Sequence, residues 1–328
     1  MMIMRIKKMT SMIVATVLMS SLLVGCGAKG TSGDGSKEQE QIVIGVAMPA
    51  FEDWFTYLIG GIEEYDEQHD DVKVDMVDAK NDSSKQISQV ETMIAQQVDA
   101  IVINPVETAG LDPMVDAANE AGIPVVVVNR MPEEATMEKI YAYVGSESLE
   151  GGTIQMEKVA EMLDGKGNIA IMNGTLGHES VLKRTNGNKG VIEKHSDMKI
   201  VLEATADYQR AQGITLMENW IQSGEEIDAV VANNDEMAIG AIMALEESGK
   251  RGDIIVAGID GTADGLDYVK QGKLNVTTFQ DGYGQGQGAI ETAVKAAKGE
   301  ELEEKFVNIP FKLVTEENVD EYLEKLER

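Results

Sequence analysis

Gln97-Val98-Asp99-Ala100-Ile101-Val102-Ile103-Asn104 and, later in the chain, Glu226-Ile227-Asp228-Ala229-Val230-Val231-Ala232-Asn233 follow one pattern. Each reads as a helix end, a turn aspartate and a short apolar run that closes on asparagine. Each leads into a helix and then a second apolar strand with a polar end, Asn129-Arg130 in one half and Asp260 in the other. Around these echoes, β-branched runs alternate with amphipathic patterns. IVIGVAM (42–48), VKVDMVD (72–78), AIVI (100–103) and PVVVV (124–128) read as strands, separated by helical stretches at 54–68 and 83–97 and a helix through Glu120. NIAIM, KIVLE, DAVVA and DIIVAGI repeat the plan, with helices near 180–194, 210–222, 235–248 and 263–271. Continuous apolar strands alternating with helices indicate parallel sheets covered on both faces. The expected class is α/β, doubly wound, in two similar lobes.

Length and composition agree. At ~100–200 residues per domain, 328 residues suggest two domains. The formal net charge of −29 repels nucleic-acid phosphates and argues against a DNA-binding role. A single cysteine, Cys26, allows no internal disulfide. It follows a basic start (Arg5, Lys7, Lys8), an apolar run through Val24 and the string Leu23-Val24-Gly25. These are the parts of an export signal, and the apolar run is shorter than the ~20 residues of a spanning helix. Residues 27–40, GAKGTSGDGSKEQE, cannot bury a core and read as a flexible tether. The acidic tail after Pro310 reads as a strand followed by a surface helix.

In open parallel sheets, ligands bind outside the carboxyl ends of the strands. Those ends carry Asn104, Asn129, Arg130, Asn233, Asn234, Asp235 and Asp260. Asp99, Asp228 and Asp235 also read as helix caps or turn residues. Arg130, two residues after four valines, is poorly explained as a cap. Enzymatic motifs are absent: there is no Gly-x-x-x-x-Gly-Lys loop and no Gly-x-Ser-x-Gly elbow. The Gly282–Gly288 segment has the wrong spacing for a dinucleotide fingerprint and opens a late helix. His69, His178 and His195 lack metal spacing, so no metal or cofactor is expected. A cleft of Asn, Asp, Gln and Arg suits a neutral polyol, whose hydroxyls both donate and accept. Aromatic residues are scarce, which draws notice to Trp54 and Phe55 after the first strand and Tyr208 after a later one. They read as platforms for a sugar ring or, for Trp54 and Phe55, as staples of the first helix to its sheet.

From Ile42 to about Leu313 the chain resembles the ribose/galactose type of extracytoplasmic sugar-binding proteins, the receptors of ABC importers. The resemblance rests on Val231-Ala232-Asn233-Asn234-Asp235-Glu236-Met237-Ala238-Ile239-Gly240, on Gly258-Ile259-Asp260-Gly261-Thr262 and on the run from Gly272 to Gln280. Ile123–Arg130 is similar to that family's strand ending in Asp-Arg. The Leu-x-Gly-Cys ending resembles the bacterial lipoprotein signal, which implies a lipidated Cys26 and an extracytoplasmic, membrane-anchored protein. The resemblance implies the type I periplasmic binding protein fold, with a three-segment hinge crossing near Ser146, Gln280 and Pro310. The N-terminal lobe would comprise residues 41–146 and 281–309, and the C-terminal lobe 147–280 and 310–328.

Carried over by position, it gives ligand roles to Glu52, Trp54, Phe55, Asn129 and Arg130 from one lobe. Arg184, Tyr208, Asn234 and Asp260 come from the other, with Gln280 at the hinge. Glu52 stands where ribose receptors carry asparagine, and Asn129 where they carry aspartate. Gly177-His178-Glu179 is also unlike ribose receptors and closer to inositol or rhizopine receptors. The expected ligand is therefore a hexopyranose or a cyclitol such as myo-inositol, and the expected partner an ABC permease that reads the closed form. A monomer without enzymatic activity is expected. A receptor for a membrane kinase or chemoreceptor is the alternative; a repressor effector domain fits neither the leader nor the charge.

Overall fold

The structure, a computed structural model, describes residues 41–51, 54–252 and 254–326. The leader, Cys26, the tether and Glu52 lie outside the described residues. The first half runs β1 (Ile42–Met48), α1 (Phe55–Gln68), β2 (Val72–Asp78), α2 (Ser83–Gln96), β3 (Ala100–Ile103), α3 (Leu111–Glu120), β4 (Val125–Val128), α4 (Glu134–Lys139) and β5 (Ala142–Gly145). The second runs α5 (Ser148–Met162), β6 (Lys166–Asn173), α6 (Glu179–Ile192), β7 (Asp197–Thr205), α7 (Arg210–Ser223), β8 (Ala229–Ala232), α8 (Asp235–Glu247), β9 (Ile255–Asp260), α9 (Ala263–Lys270) and β10 (Val276–Phe279). The chain ends with α10 (Gly282–Ala297), β11 (Phe306–Asn308), β12 (Lys312–Val314) and α11 (Val319–Leu326).

Two six-stranded sheets form, in the orders β11-β5-β4-β3-β1-β2 and β12-β10-β9-β8-β6-β7. All pairs are parallel except the last, where β12 runs antiparallel to β10. The strand orders superimpose, so the echo between 97–104 and 226–233 marks equivalent places in two lobes of one design. The turn aspartates do the same work in each. Asp99 accepts from the Val43 N–H at 2.7 Å, and Asp228 from the Asn168 N–H at 2.6 Å. Each thereby fastens its lobe's first strand near its start.

Period-two alternation explains the layers. Ile101, Ile103, Val125 and Val127 pack with residues of α2 and α3, while Ala100, Val102, Val126 and Val128 pack with α1 and α10. In the second lobe Ala229, Val231, Ile255 and Ala257 face α5 and α6; Val230, Ala232 and Val256 face α7, α8, α9 and α11. Each of these strand side chains is buried, the larger ones contributing ~1.5–3 kcal/mol apiece. The tail forms the expected strand and helix, and α11 buries Val319 and Tyr322 in the second lobe's core.

Glycines bring the paired helices close. A Cβ on Gly61 or Gly286 would lie 2.1 Å from the Tyr283 or Leu58 carbonyl oxygen, so α1 and α10 touch backbone to backbone. Gly152 and Gly187 do the same between α5 and α6, at 2.0 and 2.5 Å from the Arg184 and Leu149 carbonyls. The chain passes from one sheet's layers to the other's between β5 and α5, between β10 and α10, and between β11 and β12.

Candidate functional site

The carboxyl ends of the strands in the two lobes face each other across the crossings. On the second lobe, α6 follows β6 and delivers Arg184, which is only 6% exposed. Its Nη1 donates to the Asn233 carbonyl at 2.7 Å and to Asp260 Oδ1 at 3.3 Å, and its Nη2 donates to Gln280 Oε1 at 2.7 Å. One guanidinium thus ties together the ends of β8, β9 and β10. Its carbon lies 5.7 Å from the Phe311 ring at the third crossing. Asp260 sits at φ +123°, a conformation that L side chains rarely adopt, with a cost of ~1–3 kcal/mol. Such strain at a strand end aims a carboxylate where the sheet alone would not.

On the first lobe, Arg130 leaves the end of β4 and lies 5.4 Å from the centre of the Phe55 ring. Its Nη1 donates to the carbonyls of Pro105 and Val106. Its Nε and Nη2 have no protein partner among the described residues. Burial pulls this guanidinium down from its usual range, with Tyr208 and Glu107 acting on it. Tyr208 belongs to the opposite lobe, so the Arg130 charge acts across the gap. Tyr208 is held at φ +62°, packs its ring over Gly174 and shares a 2.9 Å hydrogen bond with Ser180. His178 tilts against it at 6.1 Å between ring centres. Burial and then Arg130 lower the His178 imidazole, which favours its neutral form.

The remaining sequence-derived residues divide. Trp54 meets Phe55 edge to face at 6.2 Å and packs against Gly282 at the second crossing. A cavity there is lined by Trp54, Tyr57, Asp260, Gln280 and Tyr283. Tyr57 bridges the lobes, its hydroxyl accepting from the Ala263 N–H at 3.0 Å. Both Trp54 and Phe55 are half-buried against the first lobe's core, so they anchor α1 while presenting an edge to the gap. Asn129 stands at φ +67°, and its amide donates to Gln285 Oε1 at 3.1 Å. Gln285 in turn donates to Ser146 at the first crossing, so Asn129 is tied into the hinge.

The cap of α8 lies one residue earlier than the sequence suggests. Asn234 is the helix cap: its Oδ1 accepts from the Met237 N–H at 3.0 Å, and its Nδ2 donates to the Tyr208 carbonyl at 3.2 Å. It holds Tyr208 in place with both ends of its side chain engaged. Asp235, read as a cap, lies inside the first turn of α8, fully buried, and accepts from Thr277 Oγ1 at 2.6 Å and the Thr262 N–H at 2.9 Å. The reason is geometric: the residue before the helix, in extended backbone, is the one whose side chain reaches the N3 amide. Sequence reasoning assigned no role to Gln285, Tyr57, Glu107 or Ser180. Gln285 carried a signal, a polar residue amid the glycines that open α10.

Burial pushes the Asp235 and Asp260 carboxyls above the ordinary range; the Asp260 charge adds to the rise of Asp235, and Arg184 offsets part of the rise of Asp260. The folded pair therefore retains a proton that the unfolded chain has released above about pH 4. Its stabilising contribution is complete below that range and is lost as pH rises through the folded titration. The melting temperature of the unliganded protein should fall by several degrees between pH 5 and pH 9, ~1 kcal/mol moving a chain of this size by about 2–4 °C. In Asp235→Asn the fall should be smaller; an unchanged slope would assign it to other groups.

Comparison with known proteins places these features. An ABC transporter solute binding protein from Bacillus halodurans, solved with bound myo-inositol, is 48% identical, with a TM-score of 0.83 over 88% of this chain and 100% of that one. A protein of Rhizobium meliloti named for rhizopine binding is 43% identical over 85% of this chain and 92% of its own length. The ribose import binding protein of Bacillus subtilis is 34% identical, covering 86% and 90%. Residues 44–301, the span that holds both sheets' central strands and the residues between them, match the periplasmic binding protein domain, and the chain belongs to that family.

Proposed function

We propose that this protein is the extracytoplasmic receptor of an ABC importer and closes its lobes on a neutral six-membered polyol, a cyclitol or a hexopyranose, in preference to ribose. The carrying observation is the Arg184 cluster, which presents Asp260 and Gln280 from one lobe opposite Arg130 from the other. Planar donors and acceptors at the two sides of a gap fit adjacent ring hydroxyls, which need both. Phe55, Trp54 and Tyr208 supply apolar faces for the C–H side of a ring. The likeness to the myo-inositol-bound Bacillus halodurans protein supports the six-membered ring, as does the acidic Glu52 in the sequence.

Delivery follows from hinge bending about the three interlobe segments, the closed form being read by the permease. The site binds without turnover and acts as a monomer. Cys26 carries a lipid anchor, residues 1–25 are the leader and residues 27–40 the tether; no helix among the described residues is long and apolar enough to cross a membrane. A melting screen against pentoses, hexoses, inositols and amino acids tests the reading. Ligand at ~100 times its dissociation constant adds about 2.7 kcal/mol to stability. Shifts with inositols or hexoses are expected; a shift with ribose alone, or with none of the polyols, would contradict it.

A further inference from the structure

The Ile309 carbonyl, at the third crossing, can only accept a hydrogen bond. Ser146 Oγ, at the first crossing, meets it at 2.6 Å and must donate its one proton there. That leaves the Ser146 oxygen to accept, and Gln285 Nε2 donates to it at 2.9 Å. With its nitrogen so committed, Gln285 turns Oε1 to Asn129, whose Nδ2 donates to it at 3.1 Å. The chain thus has one sense, dictated by its acceptor-only end and not by the amides within it. Gln285 is fully buried and Ser146 is 3% exposed, so solvent does not stand in for either partner. Asn129 has little other freedom. Its N–H donates to the Val144 carbonyl at 2.9 Å, and its carbonyl accepts from the buried Tyr143 hydroxyl at 2.8 Å. Gly145 makes room for this contact, since a Cβ there would lie 2.2 Å from that hydroxyl. Asn129 Oδ1 has no partner among the described residues and is not sealed from solvent, at the carboxyl end of β4.

We infer that Gln285 and Ser146 are positioning residues that fix the sense of the Asn129 amide, so that Asn129 Oδ1 selects a ligand group able to donate. A hydroxyl at that point gives its proton to Oδ1. An ether oxygen or a fluorine there meets a lone pair instead. The amide cannot turn its N–H outward without breaking the chain. A flip of Asn129 sets its Oδ1 against Gln285 Oε1. A compensating flip of Gln285 then draws the Ser146 proton away from the buried Ile309 carbonyl's side of the hinge and leaves that acceptor without it. This deepens the receptor reading and rests on it.

The test is calorimetric titration of the full-length parent, Gln285→Met, Ser146→Ala, and Gln285→Met combined with Asn129→Asp. The probes are myo-inositol, D-glucose and their mono-deoxyfluoro derivatives, in each of which one hydroxyl becomes a group that cannot donate. In the parent, fluorine at the position facing Oδ1 should weaken binding at least about 10-fold, ~1.4 kcal/mol. In Gln285→Met, and independently in Ser146→Ala, the same derivative should come within about threefold of the unmodified polyol, because Asn129 can then turn. Adding Asn129→Asp to Gln285→Met should bring the penalty back, since a carboxylate has no donor to turn. Fluorine penalties unchanged at every position in both single variants overturn the inference and leave the receptor reading intact. A uniform loss for every derivative does the same, assigning Gln285 to the hinge alone. A penalty relaxed by Gln285→Met but not restored by Asn129→Asp overturns it too. A parent that binds neither polyol overturns the receptor reading itself and this inference with it.

Discussion

Arg184→Met should remove polyol binding and lower the stability of the empty protein together. The guanidinium serves Asn233, Asp260 and Gln280 at once, and its removal strands a carboxylate that is 8% exposed. Breaking a buried ion pair from one side costs ~3–5 kcal/mol, because the partner charge stays buried. Asp260 can relieve part of this by taking a proton, since its carboxyl already sits high. A net loss of about 2–4 kcal/mol follows, which thermal unfolding at pH 7 would show as a drop of roughly 4–16 °C. Adding Asp260→Asn should recover much of the stability, because the stranded charge is gone, and none of the binding, because the donors and acceptors are gone with it. A double variant that regained affinity would mean that the cluster is scaffolding and the ligand is held elsewhere.

Arg130→Ala should weaken binding by roughly 30- to 150-fold, the effect of losing a charged donor worth ~2–3 kcal/mol in a desolvated gap. Two consequences distinguish it from Arg184→Met. The buried Pro105 and Val106 carbonyls lose a donor, but no ion pair among the described residues is broken and no charge is stranded, so the empty protein should melt within a few degrees of the parent. The Phe55 ring also loses its cationic neighbour at 5.4 Å, so Arg130→Lys should not restore affinity: an ammonium cannot lie flat on the ring and donate to two carbonyls while offering further planar donors to a ligand. Affinity within threefold of the parent, measured by calorimetry for Arg130→Ala, would remove Arg130 from the site.

The layered fold was readable because continuous Val and Ile runs have one physical explanation, burial on both faces. The elements that escaped lack that signature. β10 is Val-Thr-Thr-Phe, and Thr277 and Thr278 are fully buried although polar; Thr277 is there to donate to Asp235. β5, Ala-Tyr-Val-Gly, has one β-branched residue and no continuous apolar run to stand out. α5 carries Gly151 and Gly152 in its interior, which lower helix propensity but admit α6. Site residues divide on the same grounds. Arg130 drew notice because a cation at the end of a valine strand is poorly explained as a cap, and the structure gives it the Pro105 and Val106 carbonyls and the Phe55 ring as neighbours. Asn234 and Asp235 were confused because a single register step decides which of two adjacent polar residues caps the helix.

Isothermal titration of the protein with myo-inositol and with ribose, side by side at pH 7, addresses the central claim most directly. The account predicts one site per chain, with myo-inositol or a hexopyranose titrated in its place bound at least about 10-fold more tightly than ribose, ~1.4 kcal/mol. Tight ribose binding with no measurable heat from inositols or hexoses would contradict it.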